Sequence, residues 1–472
     1  MRFLASSLGC TAEQAKLFGL ETLLALGATA TALALLSGAW PPFIIAAAML
    51  LLLSMLRPNL LLLAVIFLLP IAPVLSVNAP LRDIATGLRI TVFLGFAMGS
   101  LMRGQSVKSL LFSSSLDYLI IGYFSLTALS VLLSPASHSS ARALLRLFSY
   151  VCTYFLITAW IHSRNFLGHN IRVLLYSTLF VELFAIYQSV IGGYSKLFDL
   201  FYPVDMRVDW EGRVTSFLNY SNSLAGYLNL VLPLALIASL LPTKELPRYL
   251  SVTALIGGVI ALFLTQSRGG LVAFSLVVLF SIYSVVKSRR MMALLFATTI
   301  LLISAALPLM ARFSSHFEEV ESRTTISRFA LWGAAAQMFA ASPIIGVGYG
   351  NFRDLYAPII DIDWIEEGSY DAHNIYLQTL AETGVAGFAV FAILITTIIR
   401  FGIEQFRKGI CRLDCLIGFA AVGAVLSVLV HGFVDYLFQV SPQFGSLFWV
   451  IVALLVVSRR LNSVSEGTEV SA

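Results

Sequence analysis

In Asp371-Ala372-His373-Asn374-Ile375-Tyr376-Leu377-Gln378-Thr379-Leu380-Ala381-Glu382, polar side chains recur where the chain turns apolar. At helical spacing Asn374, Gln378 and Glu382 form one stripe, and Glu382 stands about 12 Å along the axis from Asn374. A carboxylate that deep in hydrocarbon is either a functional group or half of an ion pair or hydrogen bond locking two spans together. His373 falls at the helix start, where the positive end of the peptide dipole disfavours imidazolium. It reads as a neutral base or hydrogen-bond donor near pH 7, or as a helix-end residue that only faces water.

Cations add a second chemistry. Arg268, in Thr265-Gln266-Ser267-Arg268-Gly269-Gly270, occupies a tight turn between two apolar spans on the outer side, where the positive-inside bias disfavours it. It either snorkels to headgroups or holds an anion, with two glycines that let a phosphate approach the backbone. Arg213, just before Val214-Thr215-Ser216, pairs with Glu211 or binds the same kind of anion. Asn222 is expected to cap the helix that follows. His431 and Asp435, four apart at the outer end of a span, either orient one another for function or, as the favoured reading, form a structural pair. Glu182 lies in an apolar span and requires a buried partner, while His138, His162, His169 and His316 read as solvated. Gly346-Val347-Gly348-Tyr349-Gly350-Asn351 has no preceding strand and no following Lys-Ser/Thr, so it is a turn and not a nucleotide loop. Cys411 and Cys415 lack zinc-ligand spacing, and Cys10 and Cys152 complete no disulfide framework. With no metal, nucleotide or cofactor motif legible, a reaction here must draw on an already activated substrate.

The elements that position these groups follow from composition. Of 472 residues 58% are hydrophobic and 12% charged, with a net charge of +5, far from a soluble domain. The runs lack the two-residue alternation of a membrane β-barrel. The expected fold is therefore all-α, one polytopic bundle of transmembrane helices spanning 1–472. Candidate spans fall near 17–38, 40–56, 58–77, 88–102, 116–133, 145–161, 171–192, 222–241, 249–266, 269–286, 291–310, 374–399, 413–432 and 443–458. A cytoplasmic N-terminus puts Lys287, Arg289, Arg290, Arg400, Arg407 and Lys408 inside. It also puts both termini in the cytoplasm and two long loops, 193–221 and 311–372, outside. Within the second, Thr325 to Ser342 spaces Phe329, Trp332, Ala336 and Phe339 as an amphipathic helix behind a Thr cap, stopped by Pro343. This helix is expected to lie on the outer membrane surface. Residues 461–472 read as a disordered cytoplasmic tail.

The ordered combination of Ser327-Arg328-Phe329-Ala330-Leu331-Trp332, Ser342-Pro343-Ile344-Ile345-Gly346-Val347-Gly348-Tyr349-Gly350-Asn351-Phe352 and His373-Asn374-Ile375-Tyr376-Leu377-Gln378 with Glu382-Thr383-Gly384 resembles the O-antigen ligase and polymerase superfamily of bacterial envelope glycosyltransferases. The resemblance is strongest from about Arg323 to Gly387 and reaches back through Ser267-Arg268-Gly269 to Arg213. It implies transfer of a glycan from a polyprenyl (undecaprenyl) diphosphate carrier to an acceptor hydroxyl, such as that of lipid A core, at the outer face of the bacterial inner membrane. It also implies that Arg213, Arg268 and Arg328 hold the diphosphate while His373 serves the acceptor. Asn374, Gln378, Glu382, Trp332 and Asn222 complete the expected substrate-binding set. The implied partners are the lipid-linked glycan, a glycan or lipid acceptor and membrane lipids, with no nucleic acid and no cofactor. A polymerase or a protein-glycosylating ligase would differ in acceptor. A bicarbonate-type transporter would instead need paired charges and broken helices near the midplane. The superfamily usually has about a dozen spans, so one N-terminal pair among the fourteen is expected to be half-spans.

Overall fold

The computed structural model describes residues 50–53, 57–71, 84–102, 114–134, 138–191, 213–218, 220–285, 317–360 and 371–469, with a few isolated positions before 114. The candidate spans at 17–38 and 291–310, and most of 40–56, lie outside the described residues, as do 193–212 of the first loop and 311–316, with His316, and 361–370 of the second. The described residues are helical, with no strand.

The helices are α1 (Pro58–Leu68), α2 (Ile84–Met102), α3 (Ser115–Leu132), α4 (His138–Trp160), α5 (Arg164–Ile191), α6 (Ser221–Leu240), α7 (Arg248–Leu264) and α8 (Arg268–Val285), followed by α9 (Phe317–Ala341), α10 (Phe352–Leu355), α11 (Ile375–Lys408), α12 (Arg412–His431), α13 (Leu437–Val440) and α14 (Pro442–Glu469). Seven of them are long and apolar enough to cross a membrane, and further apolar helices are shorter, so the chain is a multi-pass membrane protein. Apolar residues such as Leu132, Leu183 and Val190 are exposed on the helix surfaces, as a lipid-facing wall requires.

Local chemistry sets the helix ends. Pro58 opens α1 at a position where its missing N–H costs nothing. At α3, Ser114 accepts from Leu116 N while Asp117 accepts from Ser114 N, a reciprocal capping box. Of the span placed at 58–77, Pro58–Leu68 is helical, 11 residues, 69–71 form a turn, and 72–77 lie outside the described residues. Two expectations are corrected here. α9 begins at Phe317, so Thr325 lies inside the helix and does not cap it. α14 runs to Glu469, so most of the expected tail after Arg460 continues the helix.

α6 is the centre of the molecule, with nearly every residue buried, and it packs against α7, α8, α12 and α14. Pro233 interrupts its backbone hydrogen bonding inside the bundle, where Gly423 of α12 leaves room for the ring. α9 packs along α11, covering one end of the bundle. At the opposite end Arg164 pairs with the buried Asp414 and donates to Asn462 Oδ1 (2.6 Å), and Arg459 pairs with Glu404 (3.0 Å).

α11 is broken at Gly384 (φ 63°, ψ −169°). The segment after α9 fills the break with main-chain bonds. Val347 N donates to Ala381 O (2.9 Å), Gly348 N to Glu382 O (3.0 Å), Val385 N to Pro343 O (2.8 Å) and Ala386 N to Ile344 O (3.1 Å). Gly346 and Gly384 both have positive φ, and a methyl on either would enter the backbone of the other's segment. The glycine-rich stretch is therefore a turn, and its task is to plug a broken helix.

Candidate active site

Five segments distant in sequence meet at one end of the bundle. Arg213 is the first. Its Nε donates to Thr265 O (2.8 Å) and its Nη2 to Asn222 Oδ1 (2.9 Å), tying the chain before α6 to the α7–α8 turn. Asn222 thus does not cap α6. Tyr220 holds the cap position, with no side-chain bond, and Asn222 orients Arg213. Gln188 of α5 pins the next two residues, since its Oε1 accepts from Thr215 N and Ser216 N (both 2.9 Å). A glutamine inside a span gave no signal in the sequence; only the fold shows that it holds the Arg213 segment.

The α7–α8 turn is the second segment. Ser267 Oγ accepts from Gly270 N (3.3 Å), closing the first turn of α8, and Arg268 is exposed at its N-terminus. A methyl on Gly269 would fall 2.6 Å from Val434 Cγ2 and 3.0 Å from His431 Cδ2. Only glycine lets this turn seat on the third segment, the connection after α12.

That third segment carries Asp435, and the fourth carries His373. Asp435 Oδ1 lies 3.3 Å from His373 Nδ1 and accepts from its own neighbour's amide, Tyr436 N (2.8 Å). Asp435 was expected to orient His431; it pairs instead with His373, brought from the end of the long loop. Burial alone would raise the Asp435 pKa. The His373 hydrogen bond and charge, the His431 field and the Tyr436 amide together hold it well below the usual carboxylate range. His373 does not itself begin the helix. Asn374 caps α11, accepting from Tyr376 N and Leu377 N (both 3.0 Å) and donating to Phe433 O (3.2 Å), while Ile375 N donates to Gly432 O (2.7 Å). His373 precedes this cap in the left-handed region (φ 46°). Ser216 (φ 53°) and Gln266 (φ 52°) share that conformation, so each of three site segments carries a strained non-glycine residue. Such residues cluster at functional sites.

Arg328 reaches the same place from α9. Burial is the main influence lowering its pKa; Asp435 opposes that, and Arg268 and Arg213 add to it. The three expected arginines and Asp435 therefore share one electrostatic site. Arg328 Nε and Trp332 Nε1, one turn apart on α9, are buried with no hydrogen-bond partner among the described residues. Unsatisfied buried donors cost about 1–3 kcal/mol each, a cost that an anion seated among them would remove.

Two expected members lie elsewhere. Gln378 and Glu382 are fully buried and consumed by the protein. Glu382 Oε1 accepts from Gln378 Nε2 (2.9 Å) and Phe352 N (3.3 Å), and Oε2 accepts from Gln439 Nε2 (2.7 Å). Gln378 Oε1 accepts from Ala372 N (2.6 Å). Asp371, beside them, is bound in a fork by Arg353 (3.0 and 2.5 Å). This is the locking alternative for the intramembrane carboxylate. Glu182 has no partner for either oxygen among the described residues and rests against Gly257 and Gly258.

Residues 253–392 match the family model described as O-antigen ligase. Over this segment the chain is O-antigen ligase-like. The ligase-like segment contains Arg268, Arg328, Trp332, His373 and Asn374, while Arg213, His431 and Asp435 lie outside it and join it through the fold. A search of curated proteins gave no match. The ligase family groups glycosyltransferase-like enzymes, which agrees with a site made of cations and one imidazole–carboxylate pair.

Proposed function

We propose that this protein transfers a glycan from a polyprenyl diphosphate carrier to an acceptor hydroxyl, such as that of lipid A core, on the outer face of the bacterial cytoplasmic membrane. The observation that carries this reading is the meeting of Arg213, Arg268 and Arg328, with the unsatisfied donors of Arg328 and Trp332, beside the His373–Asp435 pair. Guanidinium forks match phosphate oxygens. The Asp435 carboxylate can only accept, so the proton between it and His373 belongs on Nδ1 and the ring accepts a proton through Nε2.

In the proposed step the acceptor oxygen attacks the anomeric carbon and its proton passes to His373 Nε2. The bond from that carbon to the diphosphate oxygen breaks, and its electron pair leaves on the polyprenyl diphosphate. The arginines stabilise the charge that accumulates there. The activated bond supplies the driving energy, and every proton and electron pair is placed without a further reactant.

A polymerase would use the same site with a second lipid-linked glycan as acceptor. The helix break at Gly384 is the feature closest to a transporter, but it is filled by main-chain bonds from residues 343–348. That favours the transferase. The test is purified protein in vesicles with a polyprenyl-diphosphate-linked oligosaccharide and lipid A core. The expected result is a glycosylated acceptor formed in step with free polyprenyl diphosphate. Intact donor after many hours with folded protein would refute the reading.

A further inference from the structure

One buried group at the site has no task in that step. His431, the last residue of α12, is 3% exposed, and its Nδ1 has no hydrogen-bond partner among the described residues. Asp435, one turn on, is taken by His373. The ring sits in the combined field of Asp435, Arg328 and Arg213. Its Cδ2–Nε2 edge faces Gly269, beside Arg268 at the N-terminus of α8, an 18-residue helix. The space where a side chain at 269 would stand is given to this imidazole. A ring kept buried with its Nδ1 unpaired, in the field of two arginines, is costly to fold around, and an apolar residue would pack against Gly269 and Val434 without that cost.

We propose that His431 is a second imidazole of the site, a hydrogen-bond donor through Nε2 to the diphosphate of the lipid donor at the N-terminus of α8. The two histidines then divide the work. His373 takes the proton of the acceptor hydroxyl, while His431, keeping its own proton, hydrogen-bonds the diphosphate oxygens as the electron pair arrives on them. This rests on the diphosphate reading above and adds a ligand to it that spacing in the sequence had linked only to Asp435.

The experiment measures binding of radiolabelled undecaprenyl diphosphate and undecaprenyl monophosphate to the full-length protein in phosphatidylcholine vesicles, for wild type, His431→Phe, His431→Asn and His373→Ala, with the thermal midpoint of each. The expected result is that His431→Phe loses roughly ten- to hundredfold in diphosphate affinity, the worth of a hydrogen bond to a charged group. Monophosphate affinity should change less. His431→Asn, which keeps an N–H, should recover part of the loss, and His373→Ala should bind diphosphate like wild type. A folded His431→Phe or His431→Asn that keeps the wild-type affinity and diphosphate preference overturns the inference, and a change in thermal midpoint alone marks His431 as a packing residue. If wild type itself shows no preference for the diphosphate, the shared diphosphate site is what fails, a result separate from equal binding by wild type and variants.

Discussion

His373 is fixed twice, by a carboxylate on Nδ1 and by a left-handed backbone just ahead of the α11 cap. If it accepts the acceptor proton, His373→Ala abolishes transfer in a reconstituted assay while polyprenyl diphosphate still binds. A cationic role predicts the reverse pattern, with activity kept in His373→Arg, lost in His373→Gln, and donor affinity falling in the alanine variant. Asp435→Asn keeps the shape but removes the acceptor that orients the ring, so transfer should fall on the order of 10²- to 10⁴-fold, with donor affinity little changed. The same pair makes a pH prediction. The Asp435 pKa is lower in the folded protein than in the unfolded chain, so its contribution to stability is complete above the ordinary carboxylate value of about 3.9 and disappears as pH falls through the lowered one. The stability gap between wild type and Asp435→Asn, measured by thermal unfolding, should shrink as pH falls below about 4 towards the lowered carboxylate value. A gap that does not shrink below about pH 4 would contradict the lowered carboxylate. Arg213, Arg268 and His373 stood out in the sequence because charged side chains are rare in so apolar a chain, and Arg328 through the family resemblance. Asp435 was visible too, but its partner was not. The nearest imidazole in sequence is His431, and only the packing of the α11 cap on the 432–435 turn brings His373 there instead.

At the scale of elements, the site depends on how α11 is broken. Glu382 looked like a substrate group because a deep carboxylate stands out, yet its oxygens accept from three separate donors within the protein. Replacing it by Gln turns one acceptor toward another donor. Glu382→Gln should lower stability by about 1–3 kcal/mol, read as a lower thermal midpoint, while the folded fraction binds polyprenyl diphosphate with wild-type affinity; a specific loss of binding would return Glu382 to the site. Gly384→Ala forces a side chain into a positive-φ position that abuts Ile344. It should cost at least about 1–3 kcal/mol and free the 343–350 turn, seen as faster amide exchange there. The break was not legible because its hydrogen bonds join residues some forty apart. Helical periodicity carries through Gly384 without interruption, so the sequence reads as one span. Asn222 failed for the opposite reason. Capping statistics are local, and the side chain is taken by Arg213 from outside the helix.

At the scale of the whole molecule, the apolar runs from 84 onward were legible because a bilayer demands long uninterrupted helices, and most described helices coincide with them. The arginine and histidine site lies at one end of the bundle, while Arg164, Arg400, Arg407, Lys408, Arg412 and Arg459 gather at the other, the asymmetry expected if the site faces outward. Impermeant thiol reagents on intact cells should label Ile365→Cys and spare Arg289→Cys, and the reverse would invert the orientation and remove the mechanism. The central claim is that three arginines from separate segments act on one lipid diphosphate. The direct measurement is the rate of polyprenyl diphosphate release from a lipid-linked oligosaccharide by wild type and by Arg213→Lys, Arg268→Lys and Arg328→Lys in vesicles. Each exchange keeps the charge and removes the fork, so release should fall at least roughly tenfold at one or more positions, and the three changes together should cost less than the product of their separate effects because they share one ligand. Wild-type release by all three variants, or losses that multiply independently, would contradict a shared diphosphate site.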